Sequence, residues 1–381
     1  MQDNSCWESS QASLSKLEGL EALKHPLKTK KDRINNHFGC TPRTRVMFLK
    51  THKTGSSTLT NIMLRFAYRN GLRVALPFIG GENLSEDKEK SAGYPGYVLR
   101  DRKDPNKQFD VLAHHWKYDS ETLRKIMPED TYKVTVIREP WEQFKSALSF
   151  FPVFQKLGLT GDNPVGAFFA HTETSGAYRW LKDFMIRDLG WKTALKESHD
   201  TAVKRVENHF DLVILTEYMD YGLVLLRRHL CWDIEDIIYL RLNEQSEYSF
   251  DVTPDLEPML RATHKEWSPG DHLLYDSLSK AFLETIKEQD VDFQEEVTYF
   301  RQVLNAVEKF CRGTVASNLA GFVVPPSKYT AGFRVSRPLC QLMQIHEAIF
   351  SILLKKEYYQ QVFDVLLNEE SVEANNKTQD E

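Results

Sequence analysis

Residues 48–59 read FLKTHKTGSSTL, and this stretch passes from an apolar run into a polar turn that contains one glycine. The longer segment RVMFLKT, residues 45–51, is typical of a buried strand. Beyond the turn, apolar residues recur at helical spacing, namely Leu59, Ile62, Met63, Phe66 and Ala67. Gly71 is expected to end that helix. The stretch therefore predicts a strand, a loop and a helix in direct succession.

Three further apolar segments are predicted to be strands: residues 109–116, 132–140 and 210–218. Helical patterns follow the second and the third of them, and Pro140 marks the start of one of these helices. Short apolar strands that alternate with amphipathic helices indicate a parallel sheet covered on both faces. The predicted fold class is therefore α/β, a P-loop-like three-layer fold with a central, mainly parallel sheet flanked by helices.

The composition is that of an ordinary globular protein and excludes several function classes. The 381 residues are 41% hydrophobic and 27% charged, with a net charge of -5, which gives no sign of nucleic-acid binding. The five cysteines form neither a CxxC pair nor a zinc-ligand spacing, so we expect no metal site. No stretch approaches the length of an apolar membrane span, so we expect no anchor within this sequence.

The polar turn has the composition of an anion-binding loop. N–H groups at a helix N terminus have no partners within the helix, and the helix dipole adds positive potential there. Gly55 would let the backbone approach a ligand closely, and Lys50 and Lys53 supply positive charge. Further donors are expected from Thr54, Ser56, Ser57 and Thr58. The alternative is a helix capped by Ser56 or Ser57, with both lysines in solvent.

The loop lacks the signature of a magnesium–nucleotide site. In the Walker A pattern the lysine follows the glycines, whereas Lys53 precedes Gly55 here. No aspartate closes an apolar strand, because residues 134–137 lead into Arg138 and residues 213–216 lead into Glu217. A metal-free anion site is therefore favoured over a P-loop-like kinase, which stays open as an alternative.

A second phosphate site is predicted at the end of the third strand. Arg138 follows the apolar run, and Ser146 lies eight residues later. With a helix that begins near Pro140, Ser146 sits in the second turn, where its hydroxyl could turn back towards Arg138. A guanidinium group with a nearby hydroxyl suits a terminal phosphate.

These two segments resemble the cofactor signatures of sulfotransferases that use 3′-phosphoadenosine 5′-phosphosulfate (PAPS). The closer resemblance is to the galactose-3-O-sulfotransferases, whose 5′-phosphosulfate segment is similar to residues 48–72 almost throughout. Two more stretches are similar to that family: FDLVILTEYMDYGLVLLRRHLCWDIEDIIYLRLN, residues 210–243, and WSPGDHLLYDSLSKAF, residues 267–282. The resemblance covers roughly residues 40–310.

The resemblance implies a metal-free site for PAPS and assigns residues to it. The implied PAPS-binding set is Lys50, Lys53, Thr54, Gly55, Ser56, Ser57, Thr58, Arg138 and Ser146. Lys53 would stabilise the leaving oxygen. His115 matches a family histidine and is our first candidate for the general base, with His52 as a supporting or alternate base.

Three other residues near these motifs each allow a functional and a structural interpretation. Trp116 and Trp267 could stack on a sugar, but tryptophans more often lie in the core. His114 is expected to be structural rather than catalytic.

The resemblance also implies the acceptor and the compartment. The acceptor would be a galactose-terminated glycolipid or glycan, sulfated on the 3-OH of a terminal β-galactose. The family works in the Golgi lumen or membrane, although we find no anchor in this sequence. A non-catalytic nucleotide- or glycan-binding protein that keeps the fold remains an alternative function.

The predicted domain organisation divides the chain into five parts. Residues 1–40 form a flexible lead and residues 41–312 the sulfotransferase domain. Residues 313–338, with their Gly, Pro and Ser, are expected to be a linker. Residues 339–368 form a helical extension, and residues 369–381 a disordered acidic tail.

Overall fold

A computed structural model describes most of the chain. The described residues are 39–77, 98, 106–176, 178–192, 196–241, 248–313, 321–356 and 358. The predicted lead, apart from its last two residues, and the predicted acidic tail lie outside these ranges.

A central parallel sheet of four strands confirms the predicted fold class. The strands are β1 (Val46–Leu49), β2 (Val111–Leu112), β3 (Tyr132–Ile137) and β4 (Leu212–Leu215), and their order across the sheet is β2-β1-β3-β4. Each strand falls within a segment that the sequence predicts. β2 is much shorter than the predicted 109–116, because it lies at the edge and leaves its ladder with β1 before the two histidines.

Helices connect and cover these strands. They are α1 (Ser56–Arg69), α2 (Ser120–Ile126), α3 (Pro140–Phe150), α4 (Val153–Leu157), α5 (Pro164–Ser175), α6 (Phe184–Asp188), α7 (His199–His209), α8 (Met219–Leu230), α9 (Ile234–Ile237), α10 (Glu257–Trp267), α11 (Pro269–Glu288), α12 (Val291–Arg312) and α13 (Arg337–Gln344). Short 3₁₀ turns lie at Arg179–Leu181 and Thr216–Tyr218. α1 packs on β1 and β2, whereas α8 and α11 pack on β4. None of the helices in the described ranges has the length and apolarity needed to cross a bilayer.

The core consists of two groups of buried side chains. All four residues of β1 are fully buried, as expected for a central strand covered on both faces. The main group continues from the sheet into α1, α8, α12 and α13. A second group, rich in aromatic residues, joins α3, α5 and α10 around Trp141, Phe144 and Phe168.

A β-hairpin occupies part of the segment that the sequence predicts to be a linker. Its strands are β5 (Phe322–Val324) and β6 (Phe333–Val335), which pair antiparallel. The Gly and Pro residues that suggested a linker form its turn: Gly332 has a φ of 83°, and a Cβ there would lie 2.8 Å from Pro326. Beyond α13, residues 347–356 are helical and bury Phe350 in the main core.

Two disulfides join distant parts of the chain. Cys40 bonds to Cys231, 191 residues away, and fixes the entry to β1 against the end of α8. Cys311 bonds to Cys340 and fixes α12 to α13. The sequence left the pairing open, and the remaining Cys6 lies outside the described residues.

Replacing both Cys311 and Cys340 by serine should lower the free energy of unfolding by roughly 2–4 kcal/mol, because a cross-link restricts the unfolded chain. Chemical denaturation of the oxidised protein measures this difference. Cys6→Ser, a thiol that neither disulfide uses, is the control. Equal unfolding free energies for the double variant and the control would contradict the assigned pairing.

Candidate active site

The candidate site lies where the parallel strands end. Because all four strands run the same way, their carboxyl ends meet at one edge of the sheet, where ligands bind in open α/β folds. Lys50 follows β1, His114 and His115 follow β2, and Arg138 follows β3. With β1 between β2 and β3, its loop lies between the histidines and the arginine.

Internal hydrogen bonds determine the shape of the loop after β1. The hydroxyls of Thr51 and Thr54 are 2.7 Å apart, and Ser56 Oγ donates to the carbonyl of Thr51 over 2.6 Å. Lys53 and Gly55 both adopt the left-handed backbone conformation, with φ near 62° and 71°. The hydroxyls of Thr54 and Ser56 therefore hold the loop itself, although the sequence predicted that they would contact a ligand.

The N terminus of α1 is open towards the loop. Gly55 is the N-cap residue, no side chain caps the helix, and its first turn contains no acid. Gly55 and Ser57 are exposed, and Thr58 is half-buried. A helix N terminus with unpaired N–H groups and positive potential binds anions. Capping by Ser56 or Ser57, the alternative that the sequence left open, does not occur.

Three positive side chains converge on this loop. Burial, followed by the charges of Arg138 and Lys50, lowers the pKa of the Lys53 ammonium. The Nζ atom of Lys53 lies 3.9 Å from the ring centroid of Phe150. Arg138 reaches the loop directly, with Nη1 3.5 Å from the carbonyl oxygen of Lys53. The resulting positive potential is suited to an anionic ligand.

Arg138 lies at the carboxyl end of β3, and Ser146 lies on α3. Arg138 follows β3, and its Nη2 lies 3.3 Å from the hydroxyl of Tyr248 and 3.9 Å from Glu142 Oε2. Ser146 is buried in the second turn of α3. Glu142 thus offsets part of the Arg138 charge, while about a quarter of that arginine side chain stays exposed.

His52 is held by a carboxylate and by two flanking rings. Its Nδ1 is 2.8 Å from Oδ2 of Asp188, and its backbone N–H donates to the same oxygen over 2.8 Å. The imidazole is stacked against His115, with centroids 4.1 Å apart, and against Phe184, at 4.5 Å. The carboxylate fixes the Nδ1–H tautomer, so Nε2 is the basic nitrogen.

The two histidines after β2 have different environments. Burial lowers the pKa of His115 well below its ordinary range, and the charges of His52 and Lys50 add to this effect. Burial also lowers the pKa of His114, to about 3. Nε2 of His114 lies 2.7 Å from Ser351 Oγ, so this histidine contacts the C-terminal helical segment.

Lys50, which the sequence assigns to the phosphosulfate, forms a buried ion pair. Only 4% of its side chain is exposed, and its ammonium contacts Oε1 of Glu347. Glu347 belongs to the helical residues 347–356, so the C-terminal segment supplies a charge directly beneath the loop. No local pattern in the sequence indicates this contact, because almost 300 residues separate the partners.

Residues 267–271, the start of the family-like stretch 267–282, anchor helix α6, which carries Asp188. The carboxylate of Asp271 accepts hydrogen bonds from the backbone N–H groups of Met185 and Ile186, at 3.2 and 2.9 Å. Burial and the charge of Asp183 raise the pKa of Asp271 to about 8. The motif therefore acts through α6, which presents both Asp188 and the stacking ring of Phe184 to His52.

No group of three or more His, Cys, Asp or Glu side chains among the described residues could hold a metal ion. The sheet edge brings together Lys53, Arg138, His52 and an open helix N terminus, with Asp188 beside His52 and Glu142 beside Arg138.

Comparison with known proteins gives a match to a family model described as galactose-3-O-sulfotransferase, over residues 7–320. The chain belongs to this family. It is 31% identical over 256 residues to bovine galactosylceramide sulfotransferase, and 32% identical over 251 residues to human galactose-3-O-sulfotransferase 2. Mouse galactose-3-O-sulfotransferase 3 is 33% identical over 255 residues.

These matches cover 64%, 63% and 62% of this chain and 58%, 60% and 56% of the respective relatives. The chain thus spans less than two thirds of the length of these family members. The hairpin, α13 and the segment that carries Glu347 follow the end of the family-model match.

The buried pair gives a direct test of the C-terminal contact. Glu347→Ala should lower the free energy of unfolding by roughly 3–5 kcal/mol, because it leaves the Lys50 ammonium buried without a counter-ion. The double change Lys50→Met with Glu347→Leu should recover most of that loss, since two apolar side chains need no charge partner. Chemical denaturation measures all of these variants.

The matched control for this test is Glu121→Ala, which breaks the exposed pair with Lys125. That change should cost no more than about 0.5 kcal/mol. If Glu347→Ala cost as little as the control, the pair would not contribute to stability.

Proposed function

We propose that the protein transfers the sulfuryl group of PAPS to the 3-OH of a terminal β-galactose on a glycolipid or glycoprotein glycan. The observation that carries the proposal is the open N terminus of α1, preceded by a loop that contains Lys53 and the Asp188-bound His52 and that Arg138 contacts. Membership of the galactose-3-O-sulfotransferase family supports the choice of chemistry.

The donor would be bound through its two charged ends. The backbone N–H groups after Lys53, with the hydroxyls of Ser57 and Thr58, suit the 5′-phosphosulfate, because they lie at an uncapped helix N terminus without acids. Arg138 and Ser146 suit the 3′-phosphate, since a guanidinium group offers paired donors to phosphate oxygens. Lys50 would not contact the donor directly, because it is buried and its ammonium is paired with Glu347.

The transfer is an in-line displacement at sulfur. The bond from the acceptor oxygen to sulfur forms, the bond from sulfur to the phosphate oxygen breaks, and 3′,5′-ADP leaves with the electron pair. Lys53 would stabilise the negative charge that grows on the leaving oxygen. No metal is needed in this scheme, because lysine, arginine and backbone dipoles balance the charge.

The contacts favour His52 over His115 as the group that takes the acceptor proton. A carboxylate on Nδ1 orients the ring and stabilises the imidazolium that forms when Nε2 accepts a proton, the arrangement used in other His–Asp pairs. Burial strongly lowers the pKa of His115, which makes its imidazole a poor proton acceptor. Its ring stacks on His52 and would instead help to hold that base in place.

The disulfides and the relatives support the acceptor and the compartment. Two disulfides are typical of proteins that mature in an oxidising compartment, which agrees with the lumen of the Golgi apparatus. The names of the relatives specify galactosylceramide in one case and galactose in the others. A galactose-terminated glycolipid or glycan is therefore the proposed acceptor.

Transfer of labelled sulfate from PAPS to a panel of β-galactosides, glycolipids and glycans tests this function. Lys53→Ala should lower kcat by about 10²- to 10³-fold through loss of charge stabilisation at the leaving oxygen. His52→Ala should lower it by about 10²- to 10⁴-fold through loss of the base. Asp188→Asn should lower kcat as well, whereas His115→Ala should cost less than His52→Ala.

Two variants are the controls and should keep full activity, Lys117→Ala and His171→Ala. Lys117 is exposed, and His171 is a half-buried residue of α5. A larger loss of kcat in His115→Ala than in His52→Ala would assign the role of general base to His115. Absence of turnover by the wild-type protein over the whole panel would favour a non-catalytic binding protein.

A further inference from the structure

A group of aromatic side chains extends from the candidate site to the surface. We call Phe150, Phe151, Trp180 and Phe184 the aromatic patch. Phe150 is 59% exposed and Trp180 is 37% exposed, and both are among the large apolar side chains that the described surface leaves open to solvent. Exposed aromatic rings beside a polar site commonly take part in binding.

The rings of the patch contact one another and the reacting groups. Phe151 meets Phe150 at 4.9 Å and Trp180 at 4.8 Å between ring centroids. Trp180 lies 5.4 Å from Phe184, which in turn stacks on His52 at 4.5 Å. At the other end, the ammonium of Lys53 lies over Phe150. A row of ring contacts therefore runs from His52 through the buried Phe184 to the exposed rings of Trp180 and Phe150, the second of which lies beside Lys53.

We infer that this patch is the acceptor subsite, in which Trp180 stacks on the apolar face of the sugar that is sulfated. This inference rests on the proposed function and specifies the residue that recognises the acceptor. β-Galactose has one face on which C–H groups are contiguous, and an indole ring offers a large, rigid surface with little conformational freedom to lose. A sugar stacked there has its hydroxyls at the ring edge, and Phe184 links the ring of Trp180 to His52 through contacts of 5.4 and 4.5 Å between ring centroids.

The surroundings of Trp180 suit a sugar better than a hydrocarbon chain. Its neighbours Arg179, which is exposed, and Lys182, which is half-buried, can bind sugar hydroxyls but would be desolvated by a lipid tail. The two tryptophans that the sequence offered for stacking cannot compete for this role. Trp116 is 4% exposed within the main core, and Trp267 packs against the second aromatic core group.

Steady-state kinetics with lactose, a soluble β-galactoside without a lipid tail, test the inference. Trp180→Ala should raise the KM for lactose by roughly 3- to 10-fold, the size of effect expected for one aromatic stacking contact. The KM for PAPS and kcat should stay unchanged, because the ring of Trp180 contacts Phe151, Tyr178 and Phe184, which are not residues of the donor site. Trp180→Phe should restore most of the lost affinity.

Val323→Ala is the matched control, because Val323 is 53% exposed on the hairpin strand β5, outside the patch. It should leave all constants unchanged. An unchanged KM for lactose in Trp180→Ala would overturn the inference. So would a loss confined to galactosylceramide, since that result would assign the patch to the lipid tail.

A second measurement separates this inference from the proposed reaction. Saturation-transfer NMR of lactose with the wild-type chain, in the presence of 3′,5′-ADP, reports binding without turnover. A signal that Trp180→Ala weakens and Trp180→Phe retains would support the subsite even if no sulfate were transferred. Equal signals from wild type and Trp180→Ala would overturn the subsite, whether or not the enzyme is active.

Discussion

The parallel direction of the four strands is the constraint on which the site depends. It brings the residues after β1, β2 and β3 to one edge of the sheet, although they are spread over about 90 positions of the chain. Because β1 lies between β2 and β3, its loop can contact the histidines on one side and Arg138 on the other. An antiparallel neighbour would have placed one of these groups at the opposite edge.

Buried ionic contacts from distant segments complete this arrangement. Asp188 holds His52 from α6, and Glu347 neutralises Lys50 from the C-terminal helical segment. Each contact is made by a carboxylate that is itself buried, so removing it leaves a charge or a ring nitrogen without its partner. The segment beyond the family-model match is thus part of the same folded unit, joined to α12 by the Cys311–Cys340 disulfide.

The sequence predicted the strand, loop and helix at residues 45–69 and the fold class, because local patterns determine both. The apolar runs located the four strands of the parallel sheet, and the order of Lys53 and Gly55 differs from that of a Walker A loop. The family prediction was also confirmed by the match to the family model. The residues assigned to the site stay predictions. The contacts of His52 and the burial of His115 make His52 the first candidate for the base.

The contacts that sequence reasoning missed are all long-range. Nothing near Asp188 or Glu347 marks them as partners of the loop, since pairing across 136 or 297 positions leaves no local pattern. The roles of Thr54 and Ser56 could not be predicted either. A Ser or Thr in an anion-binding loop can contact the ligand or the loop itself, and the sequence is the same in both cases. The hairpin at β5 and β6 was obscured by Gly and Pro residues that serve equally well in a tight turn and in a linker.

The central claim is that this sheet edge binds a 3′-phosphorylated adenine nucleotide without a metal. Isothermal titration of the full chain in EDTA with 3′,5′-ADP and with 5′-ADP, and separately with Mg-ATP, tests it most directly. We expect binding of 3′,5′-ADP in EDTA, weaker binding of 5′-ADP, and loss of this difference in Arg138→Ala. Tight binding of Mg-ATP with no response to 3′,5′-ADP would contradict it.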